Sequence, residues 1–193
     1  MDRPFEIYSS AGGKLIRLSH LNDVWLAKFK LAQGEYVSLR SKDDTTVHGF
    51  LYKPVDYVPG KRYPTLLRPQ GGPVWAYYSE FQDLGQLLAA NGYVVLLPNP
   101  RGSTGYGQDF AKAIYADWGN KDFQDDMAIV DYAIAQGIAD PEKLGVGGWS
   151  YGGISTDFII TQTTRFKAAI SGAGHCPLHQ HVGPRSVSAR LHH

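Results

Sequence analysis

The chain has 193 residues, a hydrophobic fraction of 43% and a formal net charge of +1, from 19 basic and 18 acidic side chains. This length suits one domain with one main core, since domains usually contain about 100–200 residues. The balanced charge excludes the basic surface of a nucleic-acid-binding protein and a polybasic membrane patch, and it indicates a small molecule or a peptide as the partner.

The expected compartment follows from cysteine content and hydropathy. Cys176 is the single cysteine, which excludes an internal disulfide and favours a reducing compartment, with the cytoplasm as the expected location. The first residues lack the apolar segment of a signal peptide, and no window approaches the roughly 18 apolar residues of a membrane span. We therefore expect a soluble protein.

The first third of the chain predicts antiparallel strands. Residues 5–8 and 15–18 flank a Gly-Gly turn, as in a hairpin or a propeller blade. Residues 36–39 and 47–52 alternate apolar and polar side chains on either side of a polar turn. This second pair predicts an antiparallel entry to a sheet.

From residue 63 onward, apolar bursts alternate with stretches of helical spacing. The bursts predict strands buried on both faces, at residues 65–67, 93–97, 144–146 and 168–170. The helical stretches are residues 81–90 and 121–136, each followed by a glycine stop signal. Alternation of strand and helix predicts an α/β fold with a mostly parallel sheet.

A G-x-S-x-G motif is centred on Ser150, directly after the burst at residues 144–146 and before the helical stretch 154–161. A serine hydroxyl is a poor nucleophile unless it is exposed and activated. A sharp turn from strand to helix lifts its oxygen clear of the sheet, and Gly148 and Gly152 permit that turn. This context favours a nucleophile elbow with Ser150 as the catalytic residue over a glycine-rich turn with an ordinary serine.

Two segments are candidates for an oxyanion hole. A helix that begins at the elbow leaves the backbone N–H of Tyr151 without a partner inside the helix, so Tyr151 is the first candidate donor. The second donor is expected in the loop after the strand at residues 65–67, where Gly71 and Gly72 are the candidates. These glycines also fit an ordinary tight turn, but their position along the chain favours the functional interpretation.

Three motifs in order, QGGP at residues 70–73, NPRGSTGYG at 99–107 and GWSYGG at 148–153, resemble the prolyl oligopeptidase family. The chain is most similar to its acylaminoacyl and dipeptidyl peptidase-like branches, and the resemblance extends to Gly174. It implies an α/β-hydrolase fold and a serine peptidase that cleaves peptide or acyl-peptide bonds through an acyl-enzyme, without a cofactor. Many relatives have histidine where this chain has Gln70, but backbone donors would not depend on that side chain.

The same resemblance divides the chain into three segments. Residues 1–22 match the end of a β-propeller, residues 23–174 match part of an α/β-hydrolase catalytic domain, and residues 175–193 depart from the family as an aberrant, disordered tail. The catalytic triad of this fold runs from serine to an acid to histidine. Fewer residues remain after residue 171 than the roughly 30 that another strand–helix–strand unit needs. We therefore expect the acid and histidine loops to be missing and this chain to be inactive.

Arg101 and the aspartates at residues 122, 125 and 126 each allow two interpretations. Arg101 could bind a substrate carbonyl or support its own loop by pairing with a carboxylate, and we favour loop support. The three aspartates could bind a metal, but their helical spacing is more typical of a solvated helix face, so no metal is assigned.

Other functions remain open at this point. His175, His179 or His181 could replace the missing general base, or bind zinc together with Cys176, because these residue types suit either role. The same elbow also serves carboxylesterases, and a chain without its full triad could act as a non-catalytic fragment or interaction module.

Overall fold

A computed structural model of the chain describes residues 4–174 and 188–191. The strands within these ranges are β1 (Tyr8–Ala11), β2 (Lys14–Arg17), β3 (Gly34–Arg40), β4 (Thr46–Tyr52), β5 (Tyr63–Leu67), β6 (Val94–Asn99), β7 (Ala139–Trp149), β8 (Phe166–Gly172) and β9 (Ser188–Leu191). The helices are α1 (Asp23–Leu26), α2 (Asp83–Ala90), α3 (Gln108–Lys112), α4 (Lys121–Ala135) and α5 (Tyr151–Gln162).

Seven strands form one mixed sheet in the order β3-β4-β6-β5-β7-β8-β9. Strands β5 to β8 are mutually parallel where they pair, whereas β3 and β4 run antiparallel at one side. The sheet therefore has the parallel centre and the antiparallel entry that the sequence pattern predicts. Strand β6 lies between β4 and β5, so the chain passes from β4 to β5 and then returns to place β6 between them.

The core has two layers because β6 is buried on both faces. All six of its residues are buried. Val94 and Leu96 pack in one cluster with apolar side chains of α4, while Val95 and Leu97 pack in the other with Ala89 of α2. Successive side chains of a strand point to opposite faces, so one strand contributes to both layers. Each fully buried valine or leucine stabilises the fold by about 1.5–3 kcal/mol.

Two element boundaries differ from the sequence pattern. Strand β7 begins at Ala139, well before the apolar burst at residues 144–146, because Ala139 pairs with Tyr63 across a register shift in β5. Helix α5 begins at Tyr151, since the Ser150 carbonyl already accepts hydrogen bonds from the N–H groups of Gly153 and Ile154. An apolar run alone indicates neither the polar start of a strand nor the first turn of a helix.

At the amino end, β1 and β2 form a separate two-stranded antiparallel sheet. Most of its residues are exposed. Arg17 holds the segment together through hydrogen bonds to Glu6 at 2.8 Å and Asp23 at 2.6 Å. The assignment of residues 1–22 to the end of a propeller stays a prediction.

Strand β9 pairs antiparallel with the free edge of β8. It lies inside the segment 175–193, which the sequence predicts to be disordered. Residues 175–187 lie outside the described residues, and with them Cys176 and the three histidines considered as a base or zinc ligands. None of the helices in the described ranges has the length and apolar character needed to cross a bilayer.

Candidate active site

The turn predicted to be a nucleophile elbow is formed by the end of β7, Ser150 and the start of α5. Ser150 has φ 58° and ψ −121°, a conformation rarely adopted by a residue with a side chain. Such backbone strain costs about 1–3 kcal/mol and persists only where the surroundings enforce it. The Ser150 N–H donates to the Gly172 carbonyl at 2.9 Å, which ties the turn to β8. Ser150 is exposed, so the elbow presents its hydroxyl to solvent.

Backbone contacts at the elbow require glycine at both flanking positions of the motif. A Cβ on Gly148 would lie 2.5 Å from the carbonyl carbon and oxygen of Gly152. A Cβ on Gly152 would lie 2.4 Å from the Pro69 carbonyl oxygen. Since real Cβ atoms do not approach backbone this closely, no side chain fits at either position. The glycine spacing of the motif therefore has a steric cause in this fold.

Unlike Ser150, which is exposed, Tyr151 is buried. Its side chain is 2% exposed, and its hydroxyl donates a hydrogen bond of 2.6 Å to Oδ2 of Asp122. Its ring meets Trp118 edge to face, with centroids 5.1 Å apart. As the first residue of α5, Tyr151 has a backbone N–H with no acceptor inside the helix. A hydrogen bond to a carboxylate contributes about 1.5–3 kcal/mol, comparable with the strain at Ser150.

The loop after β5 lies against the elbow. The carbonyl oxygens of Pro69 and Gln70 are the atoms that a Cβ on Gly152 would meet, and the Trp149 carbonyl oxygen is 3.5 Å from the Cβ position of Gly71. Strands β5 and β7 are parallel neighbours, so their carboxyl ends reach the same edge of the sheet. The structure thus brings Gly71 beside the same turn as Ser150 and Tyr151, whereas the atoms nearest to the Cβ position of Gly72 belong to Val74 and Trp75 of its own loop.

Gln70 anchors this loop from inside the protein. It is 1% exposed, and its Nε2 donates to Ser103 Oγ at 2.9 Å and to the Pro73 carbonyl at 3.2 Å. Ser103 Oγ in turn donates to the Pro100 carbonyl at 2.6 Å. From sequence, Gln70 stood out only as a departure from the family; its buried amide in fact links two loops that contain family motifs. Its signal was a polar residue three positions after the end of an apolar strand.

Arg101 is directed towards α4 and the β3–β4 turn. The guanidinium of Arg101 donates hydrogen bonds to both carboxylate oxygens of Asp125, at 2.7 and 2.9 Å, and to Asp43 at 2.5 Å. The backbone N–H of Arg101 donates a further hydrogen bond to Asp125 at 2.8 Å. The side chain of Arg101 is only 6% exposed. These contacts are those of loop support, whereas substrate binding by Arg101 stays a prediction and does not enter the proposal below.

The interpretation of the three aspartates as a solvated helix face is wrong. Asp122, Asp125 and Asp126 are each at most 2% exposed. Asp122 binds Tyr151 and Asp125 binds Arg101, so two of these acids join α4 to α5 and to the loop after β6. Burial, together with the charges of its two neighbours, holds the pKa of Asp126 well above its usual range. Helical spacing alone could not show that the polar side of α4 faces inward.

The described residues do not supply the triad's base. Two histidines lie in residues 4–174. His20 hydrogen-bonds Asp23 at 2.9 Å. His48 is stacked between Tyr36 and Tyr106, and burial lowers its pKa. Neither makes a hydrogen bond with Ser150, so the described part of the chain contains an elbow without its proton acceptor.

Comparison with known proteins agrees with this geometry. The chain is 41% identical over 172 residues, or 88% of its length, to the uncharacterized peptidase YuxL of Bacillus subtilis. It is 36% identical over 64% of its length to the acylamino-acid-releasing enzyme of Arabidopsis thaliana. Its structure superposes on an acylaminoacyl peptidase solved with Z-Gly-Gly-Phe-chloromethyl ketone, with a TM-score of 0.83, 35% identity and 89% of this chain covered.

These relatives are much longer than the chain, which spans 26% of YuxL, 16% of the Arabidopsis enzyme and 28% of the solved peptidase. The structural likeness confirms the predicted fold class, a partial α/β-hydrolase fold with a mixed sheet and flanking helices. The family profile described as prolyl oligopeptidase family matches residues 79–182, more than half of the chain. The elbow at Ser150 lies within that match, and we conclude that the chain belongs to the prolyl oligopeptidase family of serine peptidases.

Proposed function

We propose that the protein to which this chain belongs hydrolyses peptide or acyl-peptide bonds, with Ser150 as the nucleophile. The observation that carries the proposal is the backbone of Ser150, which is held at φ 58° between β7 and α5 with its side chain exposed. A strained serine at the junction of a parallel strand and a helix is the arrangement that a nucleophile elbow requires.

In the proposed reaction, Ser150 Oγ attacks the substrate carbonyl and its proton passes to a general base. The carbonyl oxygen becomes negatively charged in the tetrahedral intermediate. The N–H of Tyr151 and the N–H of Gly71 or Gly72 stabilise that charge by hydrogen bonding, because the two segments meet at the elbow. The leaving amine departs with a proton, and water then hydrolyses the acyl-enzyme.

The base and its supporting acid are assigned to no residue between 4 and 174. We infer that they belong to a part of the protein outside these residues. Removal of triad members lowers the rate by several orders of magnitude, while the oxyanion donors alone retain a residual acceleration of about 10³–10⁴ over water. The 193 residues by themselves are therefore expected to react with activated reagents but not to turn over peptides.

The proposed substrate class rests on the family and on the names of relatives. Family membership supports peptide substrates. One relative is named an acylamino-acid-releasing enzyme, and the solved acylaminoacyl peptidase holds a blocked tripeptide derivative. An acyl group or a blocked amino end on the substrate fits both descriptions.

The first experiment is labelling of the chain with a fluorophosphonate, which phosphonylates activated serines. Intact mass and peptide mapping locate the label, and Ser150→Ala is the control. Modification at Ser150 supports the proposal. A folded chain that stays unlabelled is an inactive fragment of a hydrolase, and labelling that is equal after Ser150→Ala contradicts the assignment of Ser150.

A second experiment separates a peptidase from a carboxylesterase. The protein to which this chain belongs, at its natural length, is given a short aryl ester and a blocked peptide amide with the same acyl group. Turnover of both supports the peptidase. Turnover of the ester alone rejects it in favour of an esterase, and turnover of neither favours a non-catalytic role.

A further inference from the structure

Tyr151 is held at two points besides its place in α5. Its hydroxyl donates to Asp122 Oδ2 at 2.6 Å, and its ring packs edge to face on Trp118. Both Tyr151 and Asp122 are only 2% exposed, so water does not compete for their hydrogen bond. The side chain of the residue that follows the nucleophile is therefore fixed from its ring to its terminal oxygen.

The partner carboxylate is placed where a helix favours it. Asp122 lies in the first turn of α4, where backbone N–H groups and the helix dipole favour a negative charge. Burial opposes that charge and raises the pKa of Asp122, and the Tyr151 hydroxyl offsets this by hydrogen-bonding the carboxylate. The bond thus connects the amino-terminal turns of α4 and α5 through the protein interior.

The peptide plane between Ser150 and Tyr151 is the part of the elbow that this connection affects. That plane carries the Tyr151 N–H, and its orientation depends on the strained ψ of −121° at Ser150. A strained backbone angle relaxes unless its neighbours are fixed. Fixing the Tyr151 ring opposes rotation of this plane from the α5 side.

We infer that Asp122 is a positioning residue that acts through the Tyr151 hydroxyl to hold the Tyr151 backbone N–H towards the oxyanion site. Asp122 itself does not touch the reacting atoms. The inference rests on the proposed function, because it assigns a task to a donor of that site. It predicts that the hydrogen bond affects reaction at Ser150 and not the binding of the reagent.

The test measures fluorophosphonate labelling of Ser150 in the 193-residue chain, separated into reagent binding (KI) and phosphonylation (kinact). Tyr151→Phe removes the hydroxyl and keeps the ring, and Asp122→Ala removes the acceptor. Each is expected to lower kinact by about 10- to 100-fold with KI unchanged, since a small misplacement of a catalytic group has effects of this size. The double variant is expected to lose no more than either single variant, because both remove one interaction.

Asp122→Asn is the rescue variant, since its amide oxygen still accepts from the Tyr151 hydroxyl. It is expected to keep kinact within about threefold of wild type, which a role of the negative charge itself would not allow. Tyr63→Phe is the matched control: Tyr63 is also buried, and its hydroxyl accepts the Val58 N–H at 2.8 Å, outside the elbow. It should lower the thermal midpoint without changing kinact. Unchanged kinact in Tyr151→Phe, or an equal loss in Tyr63→Phe, overturns the inference.

A readout independent of reactivity separates this inference from the proposed function. In the 15N-labelled chain, Asp122→Ala is expected to displace the amide cross-peaks of Tyr151 and Gly152, 29 and 30 residues away in sequence, while Asp122→Asn and Tyr63→Phe leave them nearly in place. Unmoved cross-peaks in Asp122→Ala reject the positioning role. If the folded wild-type chain is not labelled at all, the chain lacks an activating base, and the cross-peaks alone decide whether Asp122 positions the amide; labelling that persists after Ser150→Ala would instead reject the proposed function.

Discussion

The carbonyl oxygen of Pro69 lies so close to Gly152 that a Cβ at Gly152 would be 2.4 Å from it. This contact joins the loop after β5 to the first turn of α5 with no side chain between them. The two segments that contain the proposed oxyanion donors are therefore spaced by contact between their backbones, which is stiffer than contact through side chains.

Gly152→Ala tests this spacing. In an isolated helix the change would stabilise by about 1 kcal/mol. Here the new methyl group must displace the Pro69 backbone, so we expect a net loss of about 1–3 kcal/mol in the free energy of unfolding and slower labelling of Ser150. Equilibrium urea unfolding and fluorophosphonate labelling measure the two effects.

Gly85→Ala is the control for Gly152→Ala. Gly85 is also helical, and the atom nearest to its Cβ position is Cβ of Gln82 at 3.2 Å, so a methyl group there requires a shift of only a few tenths of an ångström. We expect a smaller change in stability and an unchanged labelling rate. Equal effects at the two glycines would contradict the role given to the Pro69 contact.

Ser150→Gly is expected to stabilise the chain relative to Ser150→Ala by about 1 kcal/mol, because glycine adopts the positive φ of residue 150 without strain. The same pair of substitutions at Ser155, inside α5, should give the opposite sign, since glycine costs about 1 kcal/mol relative to alanine in a helix. Thermal or urea unfolding of the four variants measures both differences. A more stable Ser150→Ala would mean that the backbone at Ser150 is not strained.

The ion pair between Arg101 and Asp125 is expected to be a stability determinant. Arg101→Met leaves the Asp125 carboxylate buried without its partner, and removal of one member of a buried pair costs about 3–5 kcal/mol. Arg165→Met is the control, because Arg165 and Asp131 form an exposed pair whose loss should cost less than about 1 kcal/mol. Urea unfolding distinguishes them, and similar losses would contradict the structural role of Arg101.

The buried carboxyl of Asp126 predicts a pH dependence of stability. Its pKa in the folded chain lies well above the value of 3.8, so the folded state binds more protons than the unfolded state at pH values between the two. Stability should therefore fall as pH rises from about 4 towards the folded pKa. Asp126→Asn removes this contribution, and its stability relative to wild type should increase over the same range.

Asp43→Asn should show the opposite trend. The Arg101 guanidinium lowers the pKa of Asp43 to about 2, so its contribution is present above the unfolded pKa of 3.8 and is lost as pH falls towards 2. The deficit of Asp43→Asn relative to wild type should shrink on acidification from pH 4 to pH 2. Urea unfolding across these pH values measures both variants, and parallel curves for Asp126→Asn and wild type would contradict the burial of that carboxyl.

Much of the fold could be predicted because its signals are local. The buried strands appear as apolar runs, and α4 shows helical spacing with a glycine stop. Strand order is a different matter, since no local pattern shows that β6 inserts between β4 and β5. The position of β6 in the sheet depends on which crossover connection buries both of its faces.

The amino-acid sequence by itself indicated the turn at Ser150, because the contact between Gly148 and Gly152 lies within the motif and its spacing is visible there. Only the tertiary structure decided what surrounds it. Asp122, Asp125 and Gln70 have partners 24 to 33 residues away, and whether such polar residues face solvent or the interior depends on how distant segments pack. The chemistry of the site is therefore local in the sequence, whereas its support is not, because a buried polar group is stable only where the fold places a hydrogen-bonding partner beside it.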